Sequence, residues 1–522
     1  MTPLPLVPRV AGRLHAVSGP RPVLLRSSPG PAADRGVSYS VAIAMAYSDG
    51  KTLPRRSPLI ASATRRSFVK GLGGFALLVG TAGPAGAQTA AGEVAPGTVR
   101  LDAAPAKVRL HPKAPGTAEL WSFTGDAAGA RLQARLGQPL ALQLANRLPQ
   151  PVSMHILGLP VDNVLDGAVP LAGEAVPSGE ERTITLAPGR PGIFLLRPGS
   201  LAYAAEQTAR GLYGTLVVPE PQPLAVDEDV TIILSDWALD PSGALRAGTV
   251  EEAGAAGQLG NWVTVNGTEA SAATLQTITL PRRGRARLRL VNTATARRFI
   301  LRFDAMDTMV IAVDSIATEP FAPARGALPL LPGGRLDVVV TPREGAVIRH
   351  LLGQQAEPLL AFSAGASTSP HADAPPPALP APDMPVAIDL AAARRADAKI
   401  SGGLDPTNPT AGIDATRIWQ INGAAFPDQR EPLLRIPRGK PAVLAFTNET
   451  NHVQILHMHG HSVRLLHPLD DGWEPYWVDT FAVPQGRTVR IAFVAERPGR
   501  WLIGSAVLDK LAAGLAAWYE VT

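Results

Sequence analysis

The sequence predicts an all-β protein of three consecutive β-sandwich domains, and three observations carry that prediction. Short alternating or β-branched apolar runs, such as Leu140-Ala141-Leu142-Gln143-Leu144, Val230-Thr231-Ile232-Ile233-Leu234 and Val489-Arg490-Ile491-Ala492-Phe493, recur between Gly, Pro and Asn. That is the pattern of half-buried strands joined by turns, and few stretches carry a sustained helical period. A glycine precedes an apolar strand ending in asparagine three times, from Gly137 to Asn146, Gly284 to Asn292 and Gly439 to Asn448. Self-similarity of this kind marks one supersecondary unit used repeatedly.

The repeat sets the expected organisation. A second element closes the outer copies, Pro191-Gly192-Ile193-Phe194-Leu195-Leu196 and Pro498-Gly499-Arg500-Trp501-Leu502-Ile503. The domains are therefore placed at residues 99–220, 226–366 and 385–522. Residues 367–384, with Pro375-Pro376-Pro377, read as a stiff Pro-rich linker. Residues 1–87 read as a leader. Thr64-Arg65-Arg66-Ser67-Phe68-Val69-Lys70 is a twin-arginine export motif, followed by an apolar run from Gly71 to Gly83 and a small-residue cleavage site, Ala85-Gly86-Ala87. Met45 makes a better start than Met1. The apolar run is too short and too glycine-rich to span a bilayer, so no transmembrane segment is expected in the mature chain.

The leader dominates the charge. Of the 49 basic and 44 acidic residues, 11 and 2 fall within residues 1–87, leaving 38 and 42, a net of −4. The basic character therefore gives no argument for nucleic acid, and no pattern of interleaved basic and aromatic residues supports one. There is no phosphate-cradling glycine loop and no Ser-His-Asp context. The twin-arginine route implies a periplasmic location, where disulfides are permitted, yet the chain has no cysteine. Its stability must come from buried core.

The chemistry-bearing residues are histidines. In His457-Met458-His459-Gly460-His461, alternation on an extended segment turns the side chains to one face, and imidazole is the commonest protein metal ligand. A histidine follows the repeat asparagine by nine residues in the first copy, His155, and in the third, His457; the second copy has Leu301 there. His155, His457 and His459 are the candidate metal ligands. Two readings stand: one copper or zinc ion held by two or three imidazoles and water, or histidines hydrogen-bonded between the first and third domains with no metal. His461 reads as packed or solvated, and His452 and His467 as surface residues. Asp166-Gly167 and Asp479-Thr480 read as turns and hydrogen-bonding positions rather than catalytic carboxylates. Met306 and Met309 read as packing residues, and Arg282-Arg283-Gly284-Arg285 and Arg297-Arg298 as solvated strand surface.

Three such repeats, with histidines in the first and third, resemble the three-domain multicopper oxidases. The landmarks are Ser153-Met154-His155-Ile156-Leu157-Gly158-Leu159 with Asp166-Gly167, Gly211-Leu212-Tyr213-Gly214, Val265-Asn266-Gly267, His457 to His461, Trp477-Val478-Asp479-Thr480 and Ala513-Gly514-Leu515. The resemblance covers the whole mature chain and implies three cupredoxin-like Greek-key β-sandwiches. It also implies four copper-ligand motifs, and this chain departs from each. His155 is kept but its partner position is Leu157; the second pair is Arg197 and Gly199; the third motif is Gln454, His457 and His459; the fourth is Gly504, Ser505, Ala506 and Lys510, with Leu515 at the axial position. Blue copper needs a thiolate with two imidazoles, and Gln454, Ser505 and Lys510 supply neither. His155 and His457 match the two type 2 ligands and His459 a type 3 ligand.

The expectation is therefore a family member that is not an oxidase, with no catalytic residues and no cofactor, the alternative being one copper ion in a reduced metalloenzyme. An exported, copper-free branch of this family acts at the bacterial division septum. The resemblance thus implies periplasmic or septal protein partners and a function carried by the surface.

Overall fold

The computed structural model describes residues 98–375, 377–404, 413–468, 470 and 472–522. The leader, its twin-arginine motif and Met45 lie outside the described residues. The architecture is all-β. In the first region one four-stranded sheet runs in the order Ala118–Ser122, Thr98–Val108, Leu140–Asn146, Glu181–Leu186. It faces a second sheet of Ala130–Gln133, Gly214–Val218, Gly192–Pro198 and Met154–Leu157. Their inner faces share a core that includes Leu142, Leu144, Phe194, Leu196 and Leu216. The third region repeats the plan with two five-stranded sheets. Three short α-helices interrupt the described strands, at Ala204–Ala209, Val250–Ala253 and Leu508–Ala512; the middle one carries a capping box between Thr249 and Glu252.

The middle region is one continuous ten-stranded sheet. Phe299–Val313 and Arg335–Leu352 are long strands, and their pairing is broken by a bulge between Asp304 and Met306, where Ala305 has φ 55°. Such bulges bend a strand, so one strand can serve two layers that would otherwise be separate sheets. Met306 is buried in the core there, as expected of a packing residue.

The repeat asparagine explains why the three regions look alike. Asn146, Asn292 and Asn448 are all fully buried. Each amide donates two hydrogen bonds across the loop that follows: Asn146 to the carbonyls of Gln150 (2.8 Å) and Val176 (2.9 Å), Asn292 to Arg297 (2.8 Å) and Leu330 (3.0 Å), and Asn448 to His452 (2.7 Å) and Val483 (2.8 Å). Each Oδ1 accepts from the amide two residues on, at Leu148, Ala294 and Thr450. An amide side chain supplies two donors and an acceptor in one plane, which Asp or Ser cannot do. The residue nine places later is thereby delivered at the same point of the next strand: His155, Leu301 and His457.

The stretch between the second and third regions is not a free spacer. The strand Gln355–Thr368 runs into it. Arg283 then bonds Asp373 (2.8 Å), and Arg285 bonds the carbonyls of Ala374 (2.6 Å) and Pro375 (2.9 Å). Ile388 is buried in the third region. Arg282 and Arg283 are exposed, as the sequence suggested, while Arg285 is half-buried against the stretch it bonds. Arg297, by contrast, is buried, pairing with Asp236 at 2.8 Å.

Candidate functional site

His155 sits on Met154–Leu157 and His457 on Gln454–Met458, strands of the first and third regions that meet face to face. Their Nε2 atoms are 3.1 Å apart. His459 stacks on His155, ring centroids 3.9 Å apart at 23°. One ligand nitrogen from each of the three lies within 4.8 Å of the others, and all three side chains are buried. The structure thus brings the three candidate ligands together.

The outer ring nitrogens fix the tautomers. His155 Nδ1 lies 2.8 Å from the Asp166 carbonyl, which can only accept. His459 Nδ1 lies 2.9 Å from Asp166 Oδ2. His457 Nδ1 lies 3.1 Å from Thr480 Oγ1, whose proton goes to Asp479 Oδ1 at 2.9 Å. Each Nδ1 is therefore the N–H donor, and each Nε2 presents a lone pair to the centre. Burial pushes the His457 imidazole down to about 3 and His459 to about 4, against the pull of Asp479 and Asp166 respectively. Two lone pairs at 3.1 Å repel unless a cation, a shared proton or a metal ion, lies between them. Oriented imidazoles with carboxylate or carbonyl partners on the far nitrogen are what a metal-binding shell requires.

Asp166 does more than close a turn: it holds two of the three rings. The following Gly167 has φ 73°, and a Cβ there would stand 2.1 Å from the Met154 carbonyl, so the turn that aims Asp166 accepts only glycine. Gly199, at an expected ligand position, is equally constrained, since a Cβ would meet the Gly167 carbonyl at 2.5 Å.

Behind His457 lies a buried network that sequence reasoning missed. Arg335, from the middle region, grips both oxygens of Asp479, the Gly333 carbonyl at 2.7 Å and Ser315 Oγ at 3.2 Å. Asp314 Oδ2 accepts from the amides of Asp479 and Thr480, both at 3.0 Å. Burial, then the neighbouring Asp479 charge, raises the Asp314 carboxyl to about 7. Arg335 overcomes the effect of burial on Asp479 and keeps that carboxyl ionised. Asp314 and Ser315, φ 46° and 68°, form the two-residue turn between Phe299–Val313 and Ile316–Phe321, the conformation that hairpins favour. The signal was an Asp-Ser pair between apolar runs.

Arg197 stands directly opposite His155 across the strand pair Met154–Leu157 and Gly192–Pro198. It is 5% exposed and makes no ion pair among the described residues. Burial, then repulsion from Arg335, lowers its guanidinium to about 10. His461 is packed, not solvated: Nδ1 donates to the Tyr519 hydroxyl at 2.7 Å, and Nε2 accepts from the amides of Glu496 and Arg497. His452 is half-buried, edge-on to Trp419.

At the positions where the resemblance places the second centre, the chain's own side chains bond one another. Lys510 is 1% exposed, and its Nζ donates to Gln454 Oε1 at 2.9 Å beneath Trp419, 4.6 Å from the ring centroid. Gln454 Nε2 in turn donates to Thr450 Oγ1 at 2.8 Å, which bonds Asn448 Oδ1 at 2.7 Å. Ser505 Oγ accepts from the Val507 amide at 3.1 Å, and Leu515 is buried.

Three sandwiches with a histidine cluster between the first and third define a cupredoxin-fold protein. Multicopper oxidase models match residues 106–223, 228–350 and 401–522, and the chain belongs to that family. Among curated relatives it resembles the cell division protein FtsP of Haemophilus influenzae, 28% identical over 43% of this chain and 47% of that one. The chain thus spans about half the length of that relative. The multicopper oxidase MmcO of Mycobacterium tuberculosis is 25% identical over 78% of this chain and 84% of its own. A solved multi-copper oxidase from Pseudomonas thermotolerans superposes with a TM-score of 0.70 at 26% identity, over 82% of this chain and 99% of the other.

Proposed function

We propose that this protein is an FtsP-type member of the multicopper oxidase family: exported to the periplasm by the twin-arginine route, without a blue-copper centre, and acting at cell division by binding other proteins. The observation that carries the reading is Lys510. Its ammonium lies on Gln454 where the resemblance puts the electron-accepting copper, and Gln454, Ser505 and Lys510 offer a metal neither a thiolate nor an imidazole. Without that centre, electrons from a substrate have no entry to the rest of the molecule. No helix among the described residues is long and apolar enough to cross a membrane. Two measurements test the reading. Protein produced with copper should lack absorption near roughly 600 nm, where copper–thiolate charge transfer lies. A strain deleted for the gene should filament under stress; normal septation in every condition would sink the division role.

One observation favours a second property of the same protein. The converging Nε2 lone pairs of His155, His457 and His459 fit a single metal ion, because neutral imidazoles 3.1 Å apart are spaced as two ligands each about 2 Å from one ion. Such an ion would be held by these three side chains and oriented by Asp166, Asp479 and Thr480, and when bound it would act as a Lewis acid. Arg197 beside the cluster works against it. Copper titration decides: one tightly held ion, lost in His457→Ala, supports the metal; less than a tenth of an ion per chain refutes it.

A further inference from the structure

A cavity adjoins the histidine cluster and extends well beyond it. It has a volume of about 690 Å³ and opens from the histidine cluster between the three regions, with the segment Leu379 to Pro385 forming one wall. That size falls within the ordinary range for small-molecule sites. Its wall is mixed. Leu159, Ile316, Met384, Trp477 and Val494 give it an apolar side. Arg190 and Arg497 give it a cationic one.

The charge balance of this wall is uneven. Arg287, deeper in the cavity, is matched by Glu220 and Asp337. Asp166 is engaged by His459, and Asp479 by Arg335. Arg497 donates to the Gly460 carbonyl at 3.0 Å and has Glu496 at 3.9 Å, a carboxylate about half exposed at the rim. Asp383 also lines the wall, and Asp479 and Glu496 act on Arg190 from further off, yet no carboxylate among the described residues lies within ion-pairing distance of it. Arg190 donates to the Gly158 carbonyl, its Nη1 lies 3.9 Å from Met384 Sδ, and its Nε is buried without a hydrogen-bond partner. A guanidinium offers five donors in a fixed fork suited to a carboxylate, sulfonate or phosphate. Arg190 spends its forked face on one backbone carbonyl and a thioether, and leaves one N–H orphaned near a second arginine. An unsatisfied buried N–H and a like-charge neighbour both raise the energy of the empty site, and one anionic group between Arg190 and Arg497 would relieve both.

We propose that this cavity binds a small organic molecule with an apolar body and a single anionic head group, the head placed between Arg190 and Arg497 and the body against Trp477, Ile316 and Met384. The segment Leu379 to Pro385 is then part of the binding wall. The site needs neither copper nor the division role, so it stands or falls apart from both.

The test uses the whole protein and a matched pair of fluorescent probes, anionic 8-anilinonaphthalene-1-sulfonate and neutral N-phenyl-1-naphthylamine. The expected result is saturable one-site binding of the anionic probe, displaced by decanoate. Arg190→Gln should weaken it at least tenfold while Arg190→Lys keeps most of it, and the neutral probe should change less than twofold. Equal affinity of the anionic probe in Arg190→Gln, or tighter binding of the neutral probe than of the anionic one by the native protein, would overturn the proposal. Should Arg190→Gln not fold, Ala317→Trp fills the cavity from the middle region without touching a charge. It must abolish binding, and retention of the probe there would equally refute the site.

Discussion

Removing Gln454 and Lys510 singly and together tests whether an ammonium has replaced copper as the organising cation of the third region. Gln454→Leu removes the acceptor that Lys510 Nζ holds at 2.9 Å, a closer contact than the Val453 carbonyl at 3.5 Å or the Trp419 ring. Losing a buried hydrogen bond to a charged group costs about 1.5–3 kcal/mol. Lys510→Met keeps the volume and deletes the charge. It strands the Gln454 oxygen, at about 1–3 kcal/mol, and forfeits the cation–π contact, at about 0.5–2 kcal/mol, while the ammonium no longer has to be desolvated. The double variant leaves neither partner orphaned, so it should lie within about 1–2 kcal/mol of the native protein. The sum of the singles thus exceeds the double by about 1 kcal/mol or more, above the scatter of about 0.5 kcal/mol for independent sites. Calorimetric unfolding of the four proteins, following the transition that contains the third region, reads this directly. If the singles simply add, Gln454 does not hold the ammonium, and Lys510 is a buried lysine of no organising consequence.

Other outcomes follow from the same structure. Replacing Asn146, Asn292 or Asn448 by alanine should each cost about 2–4 kcal/mol by melting, since two carbonyls and an amide lose their partner; aspartate should not rescue, because it has no N–H to give. Burial, then repulsion from Arg297, lowers His350 to about 4. An unfolded histidine near 6.5 takes up its proton first, so stability is full above that value and falls as pH drops toward 4. The loss is about 3 kcal/mol, and urea titrations at pH 7, 5.5 and 4.5 should show a shallower slope in His350→Gln. Arg335→Gln leaves Asp314 and Asp479 without their cation and should cost about 3–5 kcal/mol. If a metal binds His457, the same change should weaken it about 10–100-fold, because Asp479 and Thr480 orient that ring.

How much of this was readable in the chain depends on whether a residue acts locally. The Gly-to-Asn repeat could be read because each asparagine holds the loop after it through a carbonyl four or five residues on, so spacing alone fixed where His155 and His457 would emerge. Their convergence required only that the first and third copies face each other, as the repeat implied. Asp166 was legible as a turn but not as the holder of two imidazoles, since His459 lies 293 positions away. Arg335 was illegible for the same reason, meeting Asp479 across 144 positions. Arg285 looked like solvated charge because its partners are backbone carbonyls, which no sequence pattern displays. The Pro-rich stretch read as a spacer by composition, while its contacts make it a wall.

A cation carried on the chain differs from a bound one in what can be done to it. Chelators cannot strip Lys510, other metals cannot displace it, and it cannot cycle between oxidation states or generate oxygen radicals. It also arrives with translation, so this part of the third region is complete as soon as the chain is made. What Lys510 contributes to stability is therefore independent of metal supply.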